Sequence, residues 1–356
     1  MIPVTTQQKH TPKMRIPLTY ALCALICSVC CSCRAQHKSD SNASNISVLH
    51  AKNVIAFVEA HTLGEDITAG DFGDVVLLDI DTKNKYYVTD DPFLDFNPAI
   101  SPNRRFVAFA SRRTGPRSLL KAMGLAGARA MYIFDVRDQA LHRFAGDVLA
   151  RQDLDLYMRF DGLIWSYSGK SLYFANWTNK IFELSARGDS MWVVATIPNI
   201  EGINHIFPSR DDSLIAYSYI RNNLSGGIGV VNIRTNKCKE IVGGNGQLQV
   251  GGWLPDGRQL LIQIGFDRDS TWFEYDYSSG HMKSLRIPGD GSDFLAHYAR
   301  VTREGQLILL AECAPPSARE KETHVTYILR FDPTSGTVDT LDNSGFEKSQ
   351  LSVRPW

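Results

Sequence analysis

The chain has little that points directly to chemistry. Beyond residue 33 only Cys238 and Cys313 remain, so the folded part has two thiols and room for one bridge at most. The 38 basic and 38 acidic side chains cancel to a formal charge of +0, and no acidic or basic tail is present. A nucleic-acid binder would carry a strong basic excess, so that class is excluded. After the leader there is no Gly-x-Ser-x-Gly elbow, phosphate loop, His-Glu-x-x-His or Cys-x-x-Cys pair. The familiar hydrolase, nucleotide and zinc-peptidase signatures are thus missing. With 44% hydrophobic and 21% charged residues, the composition is still that of a folded globular protein.

Cysteine is concentrated at the start. Cys23, Cys27, Cys30, Cys31 and Cys33 sit at the end of an apolar run from Ile16 to Ile26, which is preceded by Lys9, Lys13 and Arg15. A positive flank, a short apolar core and small residues make a secretory signal, too short to span a bilayer comfortably. Met14 could serve as its start. The cysteine-rich end resembles a bacterial lipoprotein signal, with lipidation expected at Cys33 and with Cys30 and Cys31 as alternatives. A plain signal peptide or a metal-binding cysteine cluster are the other readings. Residues 1–33 are therefore read as leader and 34–47, rich in Ser, Asn, Asp and Lys, as a flexible tether. The folded domain is placed at 48–356.

What is present in that domain is repetition. Phe96 to Ser111 reads as two strands around the turn Ser101-Pro102-Asn103, where proline pre-sets φ and asparagine tolerates left-handed backbone. The second strand, Phe106-Val107-Ala108-Phe109-Ala110, is too apolar to alternate, as expected for a strand covered on both faces. The same grammar returns with drift, giving six units with inner turns near 52, 103, 169, 211, 256 and 304. Spacings of about forty to sixty-five residues suit four-stranded propeller blades with insertions. The expected fold is all-β: a six-bladed β-propeller of four-stranded antiparallel blades behind a signal or lipoprotein leader. The first unit has a weak inner strand, Ile46-Ser47-Val48-Leu49, or none. Gln350 to Trp356 is expected to complete that blade, leaving no free edge. Asp79, Asp135, Asn232, Asp276 and Asp332 end third strands in five of the six units and read as turn caps rather than ligands.

The segments Asn97 to Gly115 and Trp253-Leu254-Pro255-Asp256-Gly257-Arg258-Gln259-Leu260 resemble the WD40-like repeat of TolB-type six-bladed propellers. The resemblance implies a periplasmic or surface propeller of the bacterial cell envelope that binds proteins or small ligands. It carries over no catalytic residue, because the shared motif is a hairpin.

Long insertions fall after second strands and between blades: 61–73, 112–130, 146–161 and 314–324. Antiparallel strands alternate in direction, so these connections share one face of the ring, where binding usually resides. In the 112–130 insertion, Arg112, Arg113, Arg117, Lys121 and Arg129 surround an apolar stripe and are the candidate partner-binding residues. A helix packing on its own blade is the alternative. The leading expectation is a non-enzymatic, lipid-anchored monomer, without cofactor, that binds an envelope protein or small ligand. The rival is a metal-dependent polysaccharide lyase, for which His205 and His297 at inner-strand starts are the pair to watch.

Overall fold

The computed structural model describes residues 46–60, 73–91, 93–113, 130–150, 161–175, 178–221, 225–245, 248–265, 271–287, 295–313, 325–344 and 347–353. Its strands form six four-stranded antiparallel sheets, each a blade. Blade 1 joins the two ends of the domain: β1 (Val54–Ala60), β2 (Gly73–Asp79) and β3 (Lys85–Tyr87) follow an inner strand supplied by β24 (Glu347–Val353). Blade 2 holds β4 (Asp95–Ile100), β5 (Phe106–Ser111), β6 (Ala130–Asp135) and β7 (Ala140–Phe144). Blade 3 holds β8 (Asp161–Trp165), β9 (Ser171–Ala175), β10 (Lys180–Ser185) and β11 (Met191–Thr196). Blade 4 comprises β12 (Gly202–Pro208), β13 (Leu214–Ile220), β14 (Ser225–Asn232) and β15 (Lys237–Asn245). Blade 5 comprises β16 (Leu248–Trp253), β17 (Gln259–Ile264), β18 (Thr271–Asp276) and β19 (Met282–Leu285). Blade 6 comprises β20 (Leu295–Val301), β21 (Leu307–Cys313), β22 (Val325–Asp332) and β23 (Thr337–Asp342).

The inner strands β4, β8, β12, β16, β20 and β24 each contact the next around the ring, and β24 returns to β4. Apolar layers fill all six blade interfaces, such as Ala56, Val75 and Leu77 against Ile100, Val107 and Phe109 between blades 1 and 2. Middle strands are covered on both faces. That is why β2 is buried throughout and β5 nearly so, and why both read as continuous apolar runs. Each fully buried Leu, Ile or Phe contributes roughly 1.5–3 kcal/mol relative to exposure.

The weak first strand expected at Ile46-Ser47-Val48-Leu49 is instead a 3-10 turn, Ile46–His50, which buries Val48 and Leu49 against blade 1. The inner position belongs to β24, whose Val353 pairs with Ile55. Lys83, in the turn before β3, and Lys85 of β3 reach the outer strand of blade 6 and reinforce that seam. Lys83 Nζ donates to Asp339 at 2.8 Å, and Lys85 Nζ lies 2.8 Å from Glu59 and 2.7 Å from Asp342.

The turns on one face are built from a common set of hydrogen bonds. Arg104, Gly169, Asp212, Gly257 and Gly305 each donate a backbone N–H to the carbonyl three residues earlier, at 2.9–3.0 Å. Each has positive φ, from 53° to 83°. In the Ser101-Pro102-Asn103 turn the left-handed residue is therefore Arg104 and not the expected Asn103. Asn103 works through its side chain, accepting from Arg105 N–H at 3.0 Å. The third-strand caps behave as expected: Asp135, Asn232, Asp276 and Asp332 accept backbone N–H groups two and three residues on.

Candidate functional site

Every inner strand carries a register shift against its neighbour, with the extra residue on the inner strand. Such bulges bend the strand and re-aim its side chains. Past each bulge, five inner strands bring one residue to the same level, two positions before the turn residue: Ala99, Ile164, Phe207, Gly252 and Arg300. Four of them, Ile164, Phe207, Gly252 and Arg300, line a cavity of about 380 Å³, solvent-open space included. Tyr167, Trp253 and Val353 also line it. These residues lie at the C-terminal ends of the inner strands, so the cavity sits on the tight-turn side of the ring.

Blades 4 and 6 meet across this channel in two rungs. His205 packs edge-on to Tyr298 with ring centroids 6.0 Å apart, and the Arg300 guanidinium lies 4.8 Å over the Phe207 ring. Blade 5 between them contributes glycine. A Cβ at Gly251 would stand 2.7 Å from Leu261 and 3.1 Å from the Ala299 carbonyl, and Gly252 has φ +131°, a backbone reserved for glycine. A Cβ on Gly252 would already meet Phe207 at 3.6 Å. Trp253 Nε1 donates to the Phe207 carbonyl at 3.0 Å and fixes that strand from the next blade.

Protein surrounds His205 and Arg300 although each keeps some surface on the channel. Burial, reinforced by Arg300, pushes the imidazole down to about 3, so it is neutral at physiological pH. Its Nδ1 shares a 3.2 Å hydrogen bond with Ser218 Oγ. Burial likewise pulls Arg300 down to about 10, which leaves it charged. Its Nη1 donates to the Ala299 carbonyl at 2.9 Å. Tyr167 is pushed up to about 12 by burial and then by Asp212, and remains a neutral phenol. Asp212, from the next blade, accepts the Tyr167 N–H at 2.7 Å.

Of the residues singled out in the sequence, Arg113 is committed inside blade 2. Its Nη2 lies 2.6 Å from Asp91 and 2.8 Å from Asp95, with 10% of its side chain exposed and none of that of Asp95. The rings of Phe93, Phe109 and Tyr132 surround its guanidinium at 5.3–5.8 Å. Arg112 is half-buried and bonds its N–H to the Leu94 carbonyl at 3.0 Å. Arg117, Lys121 and Arg129 lie outside the described residues, as do Cys30, Cys31 and Cys33. His205 is in the channel. His297 is the bulge residue of β20, and its side chain is outside the described set. Among the described residues no three His, Cys, Asp or Glu side chains converge as a metal site would require. Cys238 is a free, exposed thiol on β15. Arg300, Phe207, Tyr298 and the glycine pair escaped the sequence reading. Aligning the units on their turn residues would have exposed Arg300 as the one charge among Ala99, Ile164, Phe207 and Gly252.

No protein-family model and no curated protein matches the chain. Solved structures do. A candidate TolB from Agrobacterium tumefaciens aligns with a TM-score of 0.57 and 13% identity, over 84% of this chain and 90% of that one. A chain of a nidogen/laminin complex gives 0.57 and 9% identity, over 85% of this chain and 98% of that one. An oligogalacturonate lyase in complex with manganese gives 0.44 and 12%, over 81% and 85%, too low to bear on the chemistry. At these identities the likeness concerns architecture alone: the chain has a TolB-like six-bladed β-propeller fold.

Proposed function

We propose that this chain is an exported, lipid-anchored binding protein of the bacterial cell envelope, acting without catalysis through a partner held on one face of the propeller. The observation that carries the reading is the asymmetry of the ring. Connections 61–72, 114–129, 151–160 and 314–324 all leave from the same face, by the strand order. The opposite face is closed by short hydrogen-bonded turns. A rigid scaffold with its long connections on one side suits recognition. The leader ending at Cys33 and the polar tether support anchoring at a membrane with the domain held off its surface.

Two measurements test this. Labelled palmitate should enter the chain and be lost on Cys33→Ser; incorporation that persists moves the anchor to Cys30 or Cys31, and none at all removes it. In-envelope cross-linking should lose its partner on joint charge reversal of Arg117, Lys121 and Arg129, and keep it on reversal of Lys170 and Arg258 in the tight turns. The opposite pattern would overturn the choice of face. A metal-dependent lyase on the same scaffold makes a different demand: bound transition metal in the purified protein, lost with His205→Ala.

A further inference from the structure

The channel mouth on the tight-turn side contains a positive charge that the described protein does not balance. Arg105, Arg113, Arg221 and Arg330 each pair with a carboxylate. Arg300 instead has one neighbouring carbonyl and the face of Phe207. A guanidinium has five N–H donors, and among the described residues no carboxylate faces these. Arg300 is half-buried, and even partial withdrawal of a cation from water without a counter-ion is costly. Groups held at such cost in a cavity mark functional sites.

We infer that this mouth binds the carboxylate of a small organic acid, with Arg300 as the clamp. A planar guanidinium matches a carboxylate through two parallel hydrogen bonds. His205 is neutral beside it, so the site offers a single positive charge, suited to a monoanion rather than a phosphate dianion. Phe207, Trp253, Ile164 and Val353 provide apolar walls for the rest of the ligand. Gly252 keeps the space beside Phe207 open. Three blades therefore cooperate: one gives the platform, one the absence of a side chain, one the charge. The site is at the far end of the ring from the long connections and does not rest on the partner reading above.

The test titrates the full-length chain in detergent, following tryptophan fluorescence because Trp253 lines the cavity. The probes are acetate, benzoate and phenylpropionate, each beside its own amide, together with inorganic phosphate. At least one carboxylate should saturate and bind about tenfold or more tighter than its amide and than phosphate, as a charge-assisted pair implies. Arg300→Gln should weaken that carboxylate about tenfold and leave the amide unchanged. The inference is overturned if each acid and its amide bind alike, if phosphate binds tightest, if none saturates, or if Arg300→Gln keeps the affinity. Should that variant fail to fold, the acid-to-amide ratio of the wild type decides alone.

Discussion

Two arginines sit against aromatic rings at opposite ends of the ring, and they differ in what balances their charge. Arg113 has Asp91 and Asp95 within 2.8 Å. Arg300 has a ring and one carbonyl. The first is structural: its charge is satisfied within blade 2, and removing it would strand two acids. The second is an unspent electrostatic resource in a cavity. Residue type and burial are similar, so the counter-ion separates the roles. In sequence the roles looked reversed, because Arg113 stands in a basic cluster and Arg300 stands alone in a strand.

Arg113→Met should cost about 3–5 kcal/mol in denaturant unfolding, the usual result of stripping one partner from a buried pair. A loss below about 1 kcal/mol would class the pair with surface ones. Asp95 gives a pH test of the same cluster. Burial pushes it up from 3.8 to about 7, against the opposing pull of Arg113 and Ser111. Its folded pKa exceeds the unfolded one, so the stability that it contributes is full below about pH 4 and is lost as pH rises toward 7. Wild-type stability relative to Asp95→Asn should thus decline across that window; a flat difference refutes it.

Arg300→Met should act in the other direction, raising the thermal midpoint by on the order of 1 kcal/mol equivalent, since it removes an uncompensated charge. A loss of similar size would mean that the charge is balanced after all. The smallest effect is expected at Lys83, whose pair with Asp339 is 46% and 37% exposed. Lys83→Gln should change stability by less than about 1 kcal/mol, read in the same unfolding assay.

Much of the ring was legible from local chemistry. Ser101-Pro102-Asn103 and Pro255-Asp256-Gly257 announce turns, and Asp135 or Asp276 cap the next ones through bonds confined to a few residues. A C-terminal strand closing blade 1 was legible too, because that blade lacked an inner partner, although it starts at Glu347 and not at the expected Gln350. What was hidden depends on distant pairing. The inner-strand bulges exist only relative to the neighbouring strand, so Asn204 and His297 look like ordinary strand residues. The Arg300–Phe207 contact joins blades 4 and 6 past blade 5, and no local pattern encodes it. Arg113 misled for the same reason: Asp91 and Asp95 precede it by 22 and 18 residues.

The seam in blade 1 also sets the timing of assembly. Lys83 and Asp339 are 256 positions apart, and Val353 must reach Ile55 before blade 1 has an inner strand. The ring therefore cannot close until nearly the whole chain has been made. Contacts at such separation slow folding, and an open ring would expose the edge of β1 in the meantime. A ring whose first blade is shared between β1 and β24 becomes rigid only when the two ends of the domain have met.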